Sequence, residues 1–275
     1  MSSRLRHVLS PLFIVLFGVV FIVPFLFMLL TASKSQQEAN DLAFSLPTHW
    51  HLLSNLGEAI KARNYMLLAA FINSTVITVV AVAIMVVVSA MVAYVLQRRP
   101  SRSNRFVDFL ILCGLIIPPA IVPTIWVMQK LSLFKTIPGL VLVEVAFLMP
   151  FSVLIFRTFV SAIPRELDEA AIIDGATPVT LFLRVILPLL RPAIITVVVV
   201  QSIAVYNDFV NPLYFLPGTE NSTVQLTLFN FQSQFNTRWN LLFADVLLIT
   251  IPPLILFVFF QRQFASGFTA GAVKG

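Results

Sequence analysis

The 275-residue chain is 59% hydrophobic, with a mean hydropathy of +0.95 and 11% charged residues where a soluble domain carries about 25%. That composition excludes an ordinary soluble globular domain and places the chain in the membrane class. Its net charge of +6 does not point to nucleic acid, because the basic residues stand in short groups between apolar runs and form no stripe with interleaved aromatics.

A bilayer core about 30 Å thick takes roughly 20 apolar helical residues. Six segments meet that length: 9–32, 66–96, 106–130, 138–160, 192–212 and 241–262. The first is too long for a signal-peptide core of about 7–15 residues and no small-x-small site follows it, so it is expected to stay as a retained span. Residues 33–65 are polar with scattered aromatics, and the long second span that follows is expected to tilt or to extend beyond the lipid. Pro24, Pro118, Pro119, Pro123 and Pro150 fall inside spans, where each removes a backbone donor and is expected to kink its helix. Cys113, the single cysteine, lies in an apolar run, which excludes an intramolecular disulfide and a metal-ligand spacing. The histidines, His7, His49 and His51, all lie outside the spans, and no HExxH, Ser–His or His–Asp arrangement sits on an apolar run.

Between spans four and five stands a water-compatible insert, residues 161–191. Pro164 is expected in a first helical turn, with Glu166, Asp168 and Glu169 set to complement the helix dipole. Gly175 suits the left-handed position that ends such a helix. Thr177 followed by Pro178 starts a second helix, reaching Pro188, and the chain re-enters lipid near Arg191. Leu167, Ala170, Ala171 and Asp174 share one face by their spacing, with Glu169 beside them able to bond a donor such as Arg. The same pattern fits a surface helix packed on its own bundle or a docking knob for a partner.

The span candidates most suited to a polar path are Asn73, Ser74 and Thr75 in span two, Gln201 in span five, and Asn207 with Asp208 near its outer end. Hydrogen bonding between helices accounts better for each of them taken singly. Residues 213–240 form a second polar stretch outside the spans. Twelve of the 18 Lys and Arg, from Arg4 to Lys274, fall on segments that an inside N-terminus places inside. The other six are Lys34, Lys61, Arg63, Lys130, Lys135 and Arg238. The excess favours cytoplasmic termini and a cytoplasmic insert, with "QRRPSRSNR" at 97–105 as the sharpest indicator.

The stretch "EAAIIDGATPVTLFLRVILPLL" resembles the Glu-Ala-Ala loop of ABC-transporter permease subunits, through Glu169, Ala170, Ala171, Gly175, Ile186 and Pro188. Leu187 adjoins Ile186 directly, a small departure from the Ile-x-Leu-Pro pattern. "YNDFVNPL" at 206–213, with Tyr206 where relatives often read Trp, and the tail "QRQFASGFTAGAVKG" are similar to the smaller permease of maltose-type carbohydrate importers. The resemblance implies an all-α polytopic membrane protein with the type I ABC-importer permease fold. It implies a single permease domain over 1–275: span one at 9–32, core spans at 66–262, coupling loop at 161–191 and tail at 263–275.

It further implies that Leu167, Glu169, Ala170, Ala171, Asp174, Gly175 and Ala176 form a coupling helix seated on a cytoplasmic ATPase. The implied partners are a second permease in a heterodimer, two ATPase subunits and an extracytoplasmic solute-binding protein, with a carbohydrate as substrate and a bacterial inner membrane as location. The chain has no GxxxxGK[ST] loop, so ATP and Mg are expected in the partner and no cofactor or metal in this chain. A secondary transporter is the alternative, but Glu144, Asp208 and Asp245 lie towards span ends and the two halves do not resemble one another.

Overall fold

The computed structural model describes residues 3–232 and 236–272, with side chains over 17–232 and 236–261. Its helices, in chain order, are α1 (Ser3–Ala32), α2 (Gln36–Asn40), α3 (Leu52–Arg98), α4 (Arg102–Ile116), α5 (Ile121–Lys130) and α6 (Ile137–Ala162). There follow α7 (Glu166–Ile173), α8 (Pro178–Leu181), α9 (Leu187–Leu189), α10 (Arg191–Tyr206), α11 (Val210–Phe215), α12 (Val224–Thr227) and α13 (Trp239–Ala272). There is no strand among the described residues. Among the described residues three helices are long and apolar enough to span a bilayer alone: α3, α6 and α13. Two bent pairs, Arg102–Ile116 with Ile121–Lys130 and Pro178–Leu189 with Arg191–Tyr206, are each apolar enough to add a crossing, and the described apolar part of α1 is Phe17–Ala32. The chain is therefore an all-helical, multi-pass membrane protein, and each of the six expected apolar segments is helical over most of its length.

The differences from expectation have local causes. The third segment is not one helix: α4 and α5 meet at 118° across Ile117–Ala120. Pro118 forces Ile117 out of the helical region, to φ −82° and ψ 125°, and two consecutive prolines supply no donor to resume the ladder. Pro123 does no such damage because it falls in the first turn of α5, and α6 runs on through Pro150. The fifth segment, expected at 192–212, ends at Tyr206, and 207–209 separate it from α11. It is preceded by a 76° bend at Leu190, where Pro192 cannot donate back to the preceding turn.

The chain divides into two compact units, Met1–Phe71 with Val224–Ile251, and Ile72–Thr223 with Pro252–Gly275. In the first, Ala32, Ala59, Leu241, Leu242 and Ala244 are buried together, and Phe27 meets Phe243 edge-on at 5.5 Å. The polar stretch 33–65 is more ordered than its composition suggests. Ser35 and Glu38 form a capping box on α2, and hydrogen bonds from Thr48 hold the Glu38 carboxyl down at about 2. Lys34 is 2% exposed, with Nζ donating to the Ala43 carbonyl at 2.7 Å and the Ser45 hydroxyl at 3.0 Å. Residues 52–61 are already helical, and Arg63, Asn64 and Tyr65, all at positive φ, mark where the expected second span begins at 66. Three consecutive left-handed residues without a glycine cost roughly 1–2 kcal/mol each, so this break is specified by its surroundings.

In the second unit one cluster gathers Leu96, Ile111, Phe156, Phe182 and Ile186, and another gathers Met85, Met128, Leu140, Val205 and Phe215. The two lie at opposite ends of α6. Arg98, the last residue of α3, donates to the carbonyl of Ile163, just past the end of α6, at 2.9 Å. The C-terminal ends of α3 and α6 therefore share one side, and the bent pair α4–α5 has to carry the chain to the other side before α6 can return. That makes the pair a broken span and excludes a re-entrant loop. The Lys135 N–H donates to the Phe215 carbonyl, which places the end of α11 at the far side as well.

Gly139, in the first turn of α6, is packed so closely that a Cβ there would collide with the Leu133 carbonyl and the Met128 side chain. Gly139→Ala is expected to cost about 1–3 kcal/mol through displacement of the backbone at Leu133, lowering the thermal denaturation midpoint of the purified protein by several degrees. An unchanged midpoint defeats this account.

Candidate functional site

The insert is built by short-range rules that the sequence carries openly. Arg165, with φ −71° and ψ −23°, stands at the cap of α7, so Pro164 precedes the cap and does not occupy the first turn. Glu166, Asp168 and Glu169 fill the first turn. At the other end Gly175 takes φ +80°, and the Ala176 and Gly175 N–H groups donate to the carbonyls of Ala171 (2.9 Å) and Ile172 (3.0 Å). That pair of bonds is a Schellman ending, which calls for a left-handed residue. No atom lies within 4 Å of where a Cβ would project, so conformation alone demands the glycine. The Thr177 hydroxyl accepts from the Thr180 N–H and Pro178 opens α8, as the sequence predicts.

The helix after Pro178 is less regular than expected. Phe182–Ile186 forms a π turn, in which the Leu187 N–H donates to the Phe182 carbonyl. Pro188 stands just beyond it, and the widened turn relieves the clash its ring makes with the preceding turn of an ordinary helix.

Asp168 holds the insert in place. Its Oδ2 lies 2.6 Å from Arg98 Nε, and the two side chains are only 13% and 10% exposed. Arg98 thereby grips α7 through Asp168 and the end of α6 through the Ile163 carbonyl. Sequence reasoning gave Asp168 only a dipole role and gave Arg98 only a vote on orientation. Nothing local in the chain links residues 70 positions apart, so the pair carries no sequence signal.

With Asp168 turned inward, the rest of α7 faces out. Of the predicted docking residues, Leu167, Glu169, Ala170, Asp174 and Gly175 are exposed. Ala171 and Ala176 are half-buried against the cluster around Phe156 and Phe182. Ile172 and Ile173 are 60% and 84% exposed, large apolar side chains on a surface that also carries Glu166, Glu169 and Asp174. Such a surface presents apolar area ringed by acids, which suits a partner offering a basic-rimmed hydrophobic cleft.

The predicted path residues do not converge. Asn73 donates to the Ser222 carbonyl at 3.1 Å. Gln201 is 1% exposed and ties α10 to α6, donating to the Ser152 hydroxyl at 2.9 Å and the Leu148 carbonyl at 3.3 Å. Asp208 accepts from the N–H groups of Val210 and Asn211, shaping the start of α11, while Asn207 ends α10. Asn211, which sequence reasoning passed over, donates to Glu144, so a polar cluster of Glu144, Asp208 and Asn211 forms at the far side. Ser74 is buried and Thr75 is exposed. Thr75 lines a cavity of about 170 Å³ with Thr78, Ser202, Tyr206 and Pro252, and Tyr206 is the residue where the resemblance expects Trp. Glu144 and Asp245, placed towards span ends by the sequence, are 1% and 0% exposed, and Asp245 accepts from the Thr227 hydroxyl at 2.9 Å. No group of three potential metal ligands occurs among the described residues. The side chains of the tail that carries part of the resemblance, and Lys274, lie outside the described residues.

Residues 85–269 match the model of a family described as the binding-protein-dependent transport system inner membrane component. The "Probable ABC transporter permease protein YurM" of Bacillus subtilis is 31% identical over 96% of this chain and 87% of its own length. The "Diacetylchitobiose uptake system permease protein NgcG" of Streptomyces coelicolor is 31% identical over 99% of this chain and 91% of its own. Among solved structures, one chain of a bacterial ABC transporter involved in the import of the acidic polysaccharide alginate superposes with a TM-score of 0.80, at 19% identity, over 95% of this chain and 98% of that one.

Arg98→Met or Asp168→Leu alone leaves a partly buried charge without its partner and is expected to cost about 3 kcal/mol, while the double variant recovers most of that loss. Protease sensitivity of the 161–191 segment in the membrane-embedded protein reads the outcome, and a double variant no better than the singles refutes the clamp.

Proposed function

The chain belongs to the binding-protein-dependent transport system inner membrane component family, and from that premise we propose that it moves a carbohydrate across a bacterial inner membrane, driven through α7 by a partner ATPase. It is a permease subunit of an ABC importer. The carbohydrate reading is supported by the diacetylchitobiose uptake permease among its relatives. The family description names transport that depends on a binding protein, and in this reading that protein delivers the solute on the outer side. A second permease completes the path as a heterodimer, two ATPase subunits bind ATP and Mg, and this chain hydrolyses nothing itself.

The observation that carries the ATPase reading is the outward-facing α7, clamped to the end of α3 by a buried ion pair. The basic segment 97–105 lies at that end of the second unit beside the insert, which supports a cytoplasmic position for the insert, and the excess of Lys and Arg on the segments expected inside supports the same side for the termini. Glu169 pairs with a basic residue of the ATPase, and Leu167, Ala170 and Asp174 seat against it. Ala171, Gly175 and Ala176 close the turn that presents them. When ATP draws the ATPase pair together, α7 moves with them. Its displacement passes through Asp168 to Arg98 and so to α3 and α6, tilting two spans at once. Asn73, Gln201, Asn207 and Asp208 border the path in this reading, each from its own place in the fold, and the whole chain serves as one permease domain.

Glu169→Arg is expected to lower substrate-driven uptake at least tenfold in reconstituted vesicles and to weaken recovery of the ATPase with the tagged permease, while membrane insertion is unchanged. Gly175→Val, which strains the φ +80° turn, is expected to act in the same direction. Wild-type uptake in both variants sinks the coupling assignment.

A further inference from the structure

Between the last turns of α3 and the inner edge of the insert runs a groove of about 650 Å³, to which α7 contributes Asp168 and Ile172 and the turn after it Ala176, so the groove borders the coupling surface. Met91, Val95 and Leu183 form an apolar wall, all exposed, and Arg98 and Arg99 stand at its rim. Met91 lies two turns below the arginines on α3, a rise of about 11 Å. The groove thus reaches from hydrocarbon depth to the level of lipid head groups. Its charge is uneven. Arg98 is neutralised by Asp168, whereas no ion pair engages Arg99 among the described residues.

An apolar slot with a single uncompensated cation at its mouth fits one chemistry, an acyl chain carrying a monoanionic head. Basic pockets between membrane helices on the cytoplasmic side are sites of this kind. We propose that this groove binds one phosphatidylglycerol molecule, with its phosphate on Arg99 and an acyl chain along Met91, Val95 and Leu183. A zwitterionic lipid is a poorer match, because its cationic end brings a second positive charge beside Arg99 and its net charge leaves Arg99 unbalanced. The bound head group stands next to the Arg98–Asp168 clamp, so the site places a lipid at the joint between the insert and α3. The inference rests on the permease reading above, which sets this end of the chain in the inner leaflet.

The test uses the assembled transporter, tagged on this chain, reconstituted in nanodiscs of equal phosphatidylglycerol and phosphatidylethanolamine, then released for native mass spectrometry. Phosphatidylglycerol is expected to be the lipid retained by the wild type. Arg99→Gln is expected to lower its retention about fivefold, and Arg99→Lys to keep it. Arg102→Gln, an exposed arginine outside the groove lining, is expected to change nothing. Equal retention of phosphatidylethanolamine, or an equal effect of Arg102→Gln, overturns the site. Loss of the ATPase in Arg99→Gln, with lipid unchanged, overturns it in favour of a protein contact. An intact complex that retains no phosphatidylglycerol defeats this site alone, whereas recovery of the wild-type chain without any ATPase defeats the permease reading, and the lipid comparison then runs on the chain by itself.

Discussion

One ion pair decides how the second unit of this chain is arranged. Arg98 and Asp168 meet at 2.6 Å while almost hidden from solvent, and the same guanidinium bonds the carbonyl of Ile163. Those contacts bring the ends of two long helices and the insert to one point. The topology follows from that point: α4–α5 has to cross, α6 has to return, and α10 has to leave again. Without it the 118° bend between α4 and α5 is ambiguous.

The second constraint is backbone satisfaction in lipid. A spanning segment has to bond its own amides, so irregular backbone is tolerated only where something else supplies partners. The breaks here obey that rule through proline. Pro118 and Pro119 end α4, and Pro188 and Pro192 flank the bend at Leu190. Side chains do the complementary work: Gln201 and Ser152 join α10 to α6 in a buried hydrogen bond of the kind that holds membrane helices together for about 1 kcal/mol. The polar residues at membrane depth are therefore engaged with neighbouring helices first, whatever else they do during transport.

What the sequence made legible was whatever depends on neighbours along the chain. Hydropathy located all six segments because lipid solvation acts on about 20 consecutive residues at a time. Gly175, Thr177 and Pro178 announced the two-helix insert because caps and left-handed turns are set within a few residues. The proline pair hinted at a broken helix, and the 118° bend between α4 and α5 is that break. Illegible were the effects that join distant residues: Arg98 with Asp168, Gln201 with Ser152, Asn211 with Glu144. Lys34 is the sharpest case. Its charge only counted it among the basic residues of the outside segments, yet the Ala43 carbonyl and the Ser45 hydroxyl enclose it. The face of α7 was half legible, since helical spacing grouped Ala171 with the outward residues while tertiary packing drew it inward.

The choice of an ion pair to anchor the insert has a physical reason of its own. A buried pair contributes little net stability, because desolvating two charges offsets most of their attraction, and an apolar contact of equal size serves stability as well. At a membrane surface the alternatives are not equivalent. Apolar side chains gain as much by entering lipid as by packing on α3, so an apolar anchor leaves the depth of α7 poorly fixed. A charge pair cannot sink, and removing either charge from its partner is costly. It therefore fixes where the helix stands, at the boundary and facing out. With Asp168 holding α7 in this rotation, Ile172 and Ile173 stay exposed on its outer face.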